Sequence, residues 1–210
     1  MNSDQGRRPA YRIVTRRLVL RCWEPSDAPA LNAALTVSWS HLAPWMPFAQ
    51  GEPPPLEDTL ALTRRWRAQF DLDQDYVYGI FDADERSVLG STGLHTRQGP
   101  GVREIGYWIH VHHINHGYAT EAAAALTKVA FEVDHVRKVV IRCLTTNERS
   151  AAVPRKLGFI HEATLRQDIE RAPQEWMDAM IWTLLADEYP RTPASQAAVE
   201  AYDALGRRLL

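Results

Sequence analysis

Glu104-Ile105-Gly106-Tyr107-Trp108-Ile109-His110-Val111 and, two histidines later, Ile114-Asn115-His116-Gly117-Tyr118-Ala119-Thr120-Glu121-Ala122 decide how this chain is read. The first run is rich in β-branched and aromatic residues and predicts a strand over Arg103 to Val111. The second is a small-residue turn opening an alanine-rich helix from Gly117 to about Val133. In that helix Leu126, Val129, Ala130 and Val133 recur at i, i+3, i+4 and i+7. A strand that ends in such a turn presents a row of backbone N–H groups without intrahelical partners, at the positive end of the helix dipole. That geometry holds a phosphate or pyrophosphate without basic side chains, so a phosphate-bearing cofactor and an enzyme are expected. Lys138 to Leu144 follows as a compact apolar strand. A strand–helix–strand unit of this length implies a right-handed crossover between two parallel strands.

Outward from this unit the elements alternate. Arg17 to Trp23 predicts a first strand, and Ser26 and Asp27 cap a helix running to about Leu35. Trp39 to Pro55 is aromatic- and proline-rich and reads as a packed loop. A helix from about Glu57 to Phe70 precedes strands at Tyr76–Phe81 and Ser87–Leu94, joined by the hairpin-type turn Asp82–Arg86. Beyond the central unit, Asn147 to Leu157 predicts a short helix ended by Gly158, and Phe159–Asp168 and Glu175–Leu184 a closing antiparallel pair. Residues 1–10 read as a disordered lead, 11–188 as one domain, and 189–210 as a partly helical tail. The tail is weakly amphipathic through Val199, Tyr202, Leu205 and Leu209, to dock on its own domain or on a second copy in a homodimer.

Composition narrows the function. The chain has 210 residues with a net charge of -2 and a pI near 6.4, which argues against a nucleic-acid footprint. No run reaches the length of a membrane span, and Met1 to Pro9 lacks the apolar core of a signal peptide. Cys22 and Cys143 lie in apolar strand-like runs and read as buried thiols, so a cytoplasmic protein is expected. His110, His112, His113 and His116 invite a metal, but no cysteine or acid at ligand spacing completes a site, and none is expected.

The order strand, two helices, three strands, helix, strand, helix, two strands resembles the GNAT acyltransferase superfamily, and within it the ribosomal-protein N-acetyltransferases of the RimJ/RimL type. The resemblance spans roughly Thr15 to Asp187. It rests on Glu104–Ile109, on Gly117–Ala122, on Asn147-x-x-Ser150 followed by Lys156-Leu157-Gly158-Phe159, and on Leu42-Ala43-Pro44-Trp45-Met46-Pro47. It implies an α/β fold with a central, mostly antiparallel, V-splayed sheet of about seven strands and flanking helices. It implies acetyl-CoA as cosubstrate and an amine acceptor, either a protein N-terminal α-amine or a small amine. One departure is plain: the family's phosphate turn usually begins with Gln or Arg, where this chain has Ile114 and then Asn115.

By that resemblance the amides of Asn115, His116, Gly117, Tyr118, Ala119 and Thr120 cradle the coenzyme A pyrophosphate, with side-chain donors from Asn115 and His116. The strand end Trp108, Ile109, His110 and Val111 takes the pantetheine arm, and one of its amides stabilises the oxyanion. Asn147 hydrogen-bonds the pantetheine, or caps its helix. Ser150 approaches the leaving sulfur, or satisfies a backbone N–H. Glu104, on the strand face shared with Gly106, Trp108 and His110, is the expected base, with His95 and His110 as alternatives. Trp39, Trp45, Phe48 and Trp66 wall the acceptor side or pack the helices on the sheet. No cysteine lies in these motifs, so direct attack in a ternary complex is expected. A non-catalytic coenzyme A-binding module is the reading from another class.

Overall fold

The strand–turn–helix–strand unit organises the whole sheet. A computed structural model describes residues 9–210, so the lead read over 1–10 lies outside the described residues as far as Arg8. Ala10 is ordered and buried, and its carbonyl accepts the Tyr78 hydroxyl at 2.8 Å. The elements are β1 (Arg12–Val14), β2 (Leu18–Cys22), α1 (Ala28–Leu42), α2 (Leu56–Asp71), β3 (Tyr76–Asp82), β4 (Val88–His95) and β5 (Val102–Ile109). There follow α3 (Tyr118–Glu132), β6 (Lys138–Leu144), α4 (Glu148–Leu157), β7 (Ile160–Ala172), β8 (Glu175–Leu185) and β9 (Glu200–Tyr202). They form one nine-stranded sheet in the order β7-β8-β6-β5-β4-β3-β2-β1-β9. Only β5 and β6 run parallel, joined by α3; every other neighbouring pair is antiparallel.

Each face of the sheet carries its own apolar layer. On one, Leu31, Leu35 and Trp39 of α1 pack with Val19, Trp23, Val77, Phe81 and Trp108. On the other, the small residues Ala122 to Ala125 let α3 lie close against Leu20, Ile80, Leu94, Ile105 and Ile141. Period-two alternation assigns neighbouring residues of β5 to opposite layers, Ile105 to the α3 side and Trp108 to the α1 side.

Two expectations are corrected. Helix α1 runs seven residues past Leu35, to Leu42, because nothing breaks it before Pro44; Trp39 is therefore helical and buried rather than in a loop. The sheet has nine strands rather than about seven, since Arg12–Val14 and Glu200–Tyr202 pair with each other at its edge. The tail contributes two short 3-10 turns, at Tyr189–Arg191 and Pro193–Gln196, before it enters the sheet as β9 with Ala201 fully buried.

Candidate active site

Strands β5 and β6 stay paired only from Val102 and Lys138 to Ile105 and Ile141. Beyond that point Arg142 to Leu144 pair with β8 alone, while β5 remains on β4 as far as Ile109 opposite Gly90. The sheet therefore opens into a V. His110 N–H donates to Leu89 O at 2.8 Å, which fixes the alternation. The backbone groups of Gly106, Trp108 and His110 turn toward β4, and those of Tyr107 and Ile109 face the opening. The Val111 amide, already in a 3-10 turn, donates to Ser38 Oγ at 3.1 Å. Of the strand end read over Trp108 to Val111, only Ile109 thus presents its backbone to the gap, and Tyr107 joins it.

At the mouth of the V the chain turns through two left-handed residues, Asn115 (φ 64°) and Gly117 (φ 80°), and enters α3. Gly117 is the N-cap, and no side chain caps it. Glu121 N–H bonds Gly117 O at 3.0 Å, so the amides before it are the ones left at the helix start. The His116 ring is tied back to its own turn: Nδ1 donates to Ile114 O at 2.8 Å and the ring stacks on Tyr118.

A groove of about 780 Å³ joins these parts. It brings together Trp108, Ile109, Asn115, Gly117, Tyr118, Ala119, Thr120, Asn147 and Ser150, with Tyr107 between them and His41, Pro44, Trp45 and Met46 on its far wall. Glu104, His95, His110, Val111 and His116 do not line it. Of the four aromatics proposed for the acceptor wall, only Trp45 reaches the groove. Trp39 and Trp66 pack in the layer under α1, and Phe48 lies against Trp39.

On the α4 side, Asn147 is a helix cap, its side chain accepting from Ser150 N–H at 3.0 Å. Ser150 Oγ is not needed for capping and lies 3.2 Å from the Tyr107 hydroxyl. Pro154 explains the rest of this arrangement. It has no N–H to donate four residues back, so the Ser150 carbonyl has no helical partner, and Tyr107 Oη donates to it at 3.1 Å. Burial pushes the Tyr107 phenol well above its usual range, which keeps it neutral and donating. Tyr107 was not among the expected site residues, although the proline four positions after Ser150 signals a carbonyl in need of a donor. The two cysteines are free and buried; burial pushes the Cys22 thiol up to about 12 and raises that of Cys143.

The candidate bases differ sharply. Burial alone would raise the pKa of Glu104, but hydrogen bonds from Arg97 and Gln98 and the Arg97 charge hold it below the usual carboxylate range. Both oxygens are taken, Oε1 by Arg97 and Oε2 by Gln98 at 2.5 Å. Its neighbour Arg103 pairs instead with Asp134 at 3.0 Å. His110 uses Nδ1 to accept from His112 N–H at 3.1 Å, which leaves the proton on Nε2 and no basic lone pair. His95 is arranged otherwise: Nδ1 bonds Asp75 Oδ2 at 2.8 Å, and the ring lies over Gly106, its Nε2 3.3 Å from where a Cβ would stand. Gly106 is the first residue of β5 beyond its pairing with β6. Asp75 had no sequence signal; it precedes β3 and meets His95 only through the β3–β4 pairing. Among the described residues no cluster of His, Cys, Asp and Glu is arranged to hold a metal.

A helix start with uncapped amides and an unpaired strand edge on one groove are the parts that an enzyme taking an acyl group from a phosphorylated carrier would need. A family model described as Acetyltransferase (GNAT) domain matches residues 17–160, and the chain belongs to the GNAT acetyltransferase family. It is 32% identical over 160 residues, covering 74% of this chain and 85% of the relative, to the Bacillus subtilis (strain 168) protein named "Putative ribosomal N-acetyltransferase YdaF". It is 22% identical over 190 residues to the [Ribosomal protein uS5]-alanine N-acetyltransferase of Escherichia coli (strain K12), covering 86% and 94% of the two chains. Mycobacterium smegmatis RimJ, solved in complex with CoA-disulfide, shares the fold with a TM-score of 0.76 at 22% identity, over 84% of this chain and 86% of that one.

Proposed function

We propose that this acetyltransferase takes its acetyl group from acetyl-CoA and passes it by direct attack, in a ternary complex, to the N-terminal α-amine of a protein. The observation that carries the reading is the V between β5 and β6, with the uncapped start of α3 at its mouth. Relatives named as ribosomal-protein N-acetyltransferases favour a protein acceptor.

Acetyl-CoA supplies an activated thioester and two kinds of phosphate. The amides from Gly117 to Thr120 receive the pyrophosphate, and the left-handed Gly117 lets the backbone approach it. Tyr107 and Ile109 turn their N–H groups toward the thioester oxygen, where negative charge develops. An α-amine has a pKa of about 8, so on the order of a tenth is free base at pH 7 and a proton must be removed. His95, held by Asp75 with Nε2 over Gly106, takes it directly or through a water. Glu104 is the weaker base because its lone pairs are already shared with Arg97 and Gln98. As the new C–N bond forms and the C–S bond breaks, the sulfur leaves as a thiolate that the Ser150 hydroxyl, set in place by Tyr107 and Asn147, stabilises by a hydrogen bond; the thiolate then takes its proton from water. The raised thiol pKa of the two buried cysteines agrees with direct attack rather than an acyl-enzyme.

A free-thiol assay with acetyl-CoA and succinyl-CoA, run against N-terminal peptides and small amines, tests the reading. Thiol release with acetyl-CoA and a peptide is expected. Release with small amines alone would overturn the acceptor, and release only with succinyl-CoA the donor. His95→Gln should lower kcat by about 10²- to 10⁴-fold at unchanged KM for acetyl-CoA, with Glu104→Gln retaining most of the rate. The opposite ranking would return the base to Glu104.

A further inference from the structure

The turn at Ile114-Asn115-His116 carries no arginine or lysine, yet a guanidinium stands beside it, delivered by the turn between β1 and β2. Arg17 lies in the tight turn between β1 and β2, and that turn is tied to the first turn of α3. Glu121 accepts from Thr15 Oγ1 at 2.7 Å, from Arg17 N at 3.0 Å and from Arg17 Nε at 2.7 Å, and pairs with Arg17 Nη2 at 2.6 Å. Arg17 Nη1 donates to His116 O at 2.9 Å, and the guanidinium lies 4.7 Å over the Tyr118 ring. A Cβ built on Gly117 would stand 3.5 Å from Arg17 Nη2.

Two features of this network point outward. A guanidinium has five N–H donors, and the contacts above use Nε, one on Nη1 and one on Nη2. One donor on each terminal nitrogen is left, and the side chain is 44% exposed. Glu121, moreover, is a carboxylate in the first turn of α3, where by itself it would repel an incoming phosphate. Arg17 cancels that charge and still offers donors beside the cradle.

We propose that Arg17 is a phosphate-contacting residue for coenzyme A, standing in for the basic residue that the turn lacks. This rests on the cradle assigned under the proposed function. The shared chemistry is a phosphate oxygen, of the pyrophosphate or of the 3′-phosphate, accepting from the two remaining N–H groups.

The test is the Kd of coenzyme A, 3′-dephospho-coenzyme A and pantetheine, measured by amide chemical-shift titration on wild type, Arg17→Gln and Arg17→Lys. Arg17→Gln should weaken coenzyme A roughly tenfold or more, with pantetheine unchanged. Arg17→Lys should recover part of the loss, because it restores charge without the fork. If Arg17→Gln does not fold, Arg17→Lys carries the test, with coenzyme A weakened severalfold and pantetheine unchanged. An equal loss with dephospho-coenzyme A puts the contact at the pyrophosphate, and no loss there puts it at the 3′-phosphate. Equal weakening of coenzyme A and pantetheine, or unchanged affinity for coenzyme A, would leave Arg17 a tether only and overturn the proposal. A wild type that binds coenzyme A no better than pantetheine would overturn the cradle itself, and the proposal with it.

Discussion

Tyr107, Ser150 and Pro154 form a unit in which each residue explains another. The proline removes an N–H, the freed carbonyl accepts a hydrogen bond from the phenol, and the phenol in turn sits against the serine hydroxyl. Tyr107→Phe leaves the Ser150 carbonyl without its donor and should cost about 1–3 kcal/mol, read by denaturant or thermal unfolding. It should also lower kcat, since Ser150 loses the group that fixes its position. Pro154→Ala supplies a backbone N–H to the same carbonyl, so Tyr107→Phe should cost less in that background. Strict additivity of the two substitutions would show that the unit does not exist. None of this was legible in the motif Asn147-x-x-Ser150, which names the serine but not what holds it.

At the scale of elements, the start of α3 and the strand β5 carry the proposed site, and they test differently. Gly117 has φ 80°, a conformation that a β-branched residue strongly resists. Gly117→Val should therefore destabilise the helix start by about 1–2 kcal/mol and weaken coenzyme A binding in titration. Unchanged affinity would mean that phosphate is held elsewhere. At the other end of β5, the partners of Glu104 hold its folded pKa below the unfolded value of about 4.3. Its contribution to stability is then fully present above that value and is lost as pH falls through the lower folded one. The Tm advantage of wild type over Glu104→Gln should accordingly shrink between pH 7 and pH 3; a constant difference would show that the pair is not coupled to folding. The β5–α3–β6 unit was legible because its periodicities are long and its turn residues specific. The strands β1 and β9 were not, since three residues each carry no pattern and their pairing joins opposite ends of the chain.

Across the whole molecule, the proposed site rests on two layers of helices holding a sheet in which β5 and β6 part beyond Ile105 and Ile141. Resemblance implied that opening, but which amides face it depends on register, and a shift of one residue exchanges the two sets. Register is why Tyr107 and Ile109 replace the broader edge read over Trp108 to Val111, and pairing across β3 and β4 is why His95 gained Asp75. Both are long-range facts that no local pattern encodes. The central claim is that coenzyme A lies in this V with its phosphates on α3. The direct measurement is amide chemical-shift mapping of the isotope-labelled protein as coenzyme A is added. The largest changes should fall on Tyr107, Ile109 and Gly117 to Thr120. Silence at those amides, with changes gathered instead beyond β6 around Val140, Arg142 and Asp168, would contradict it.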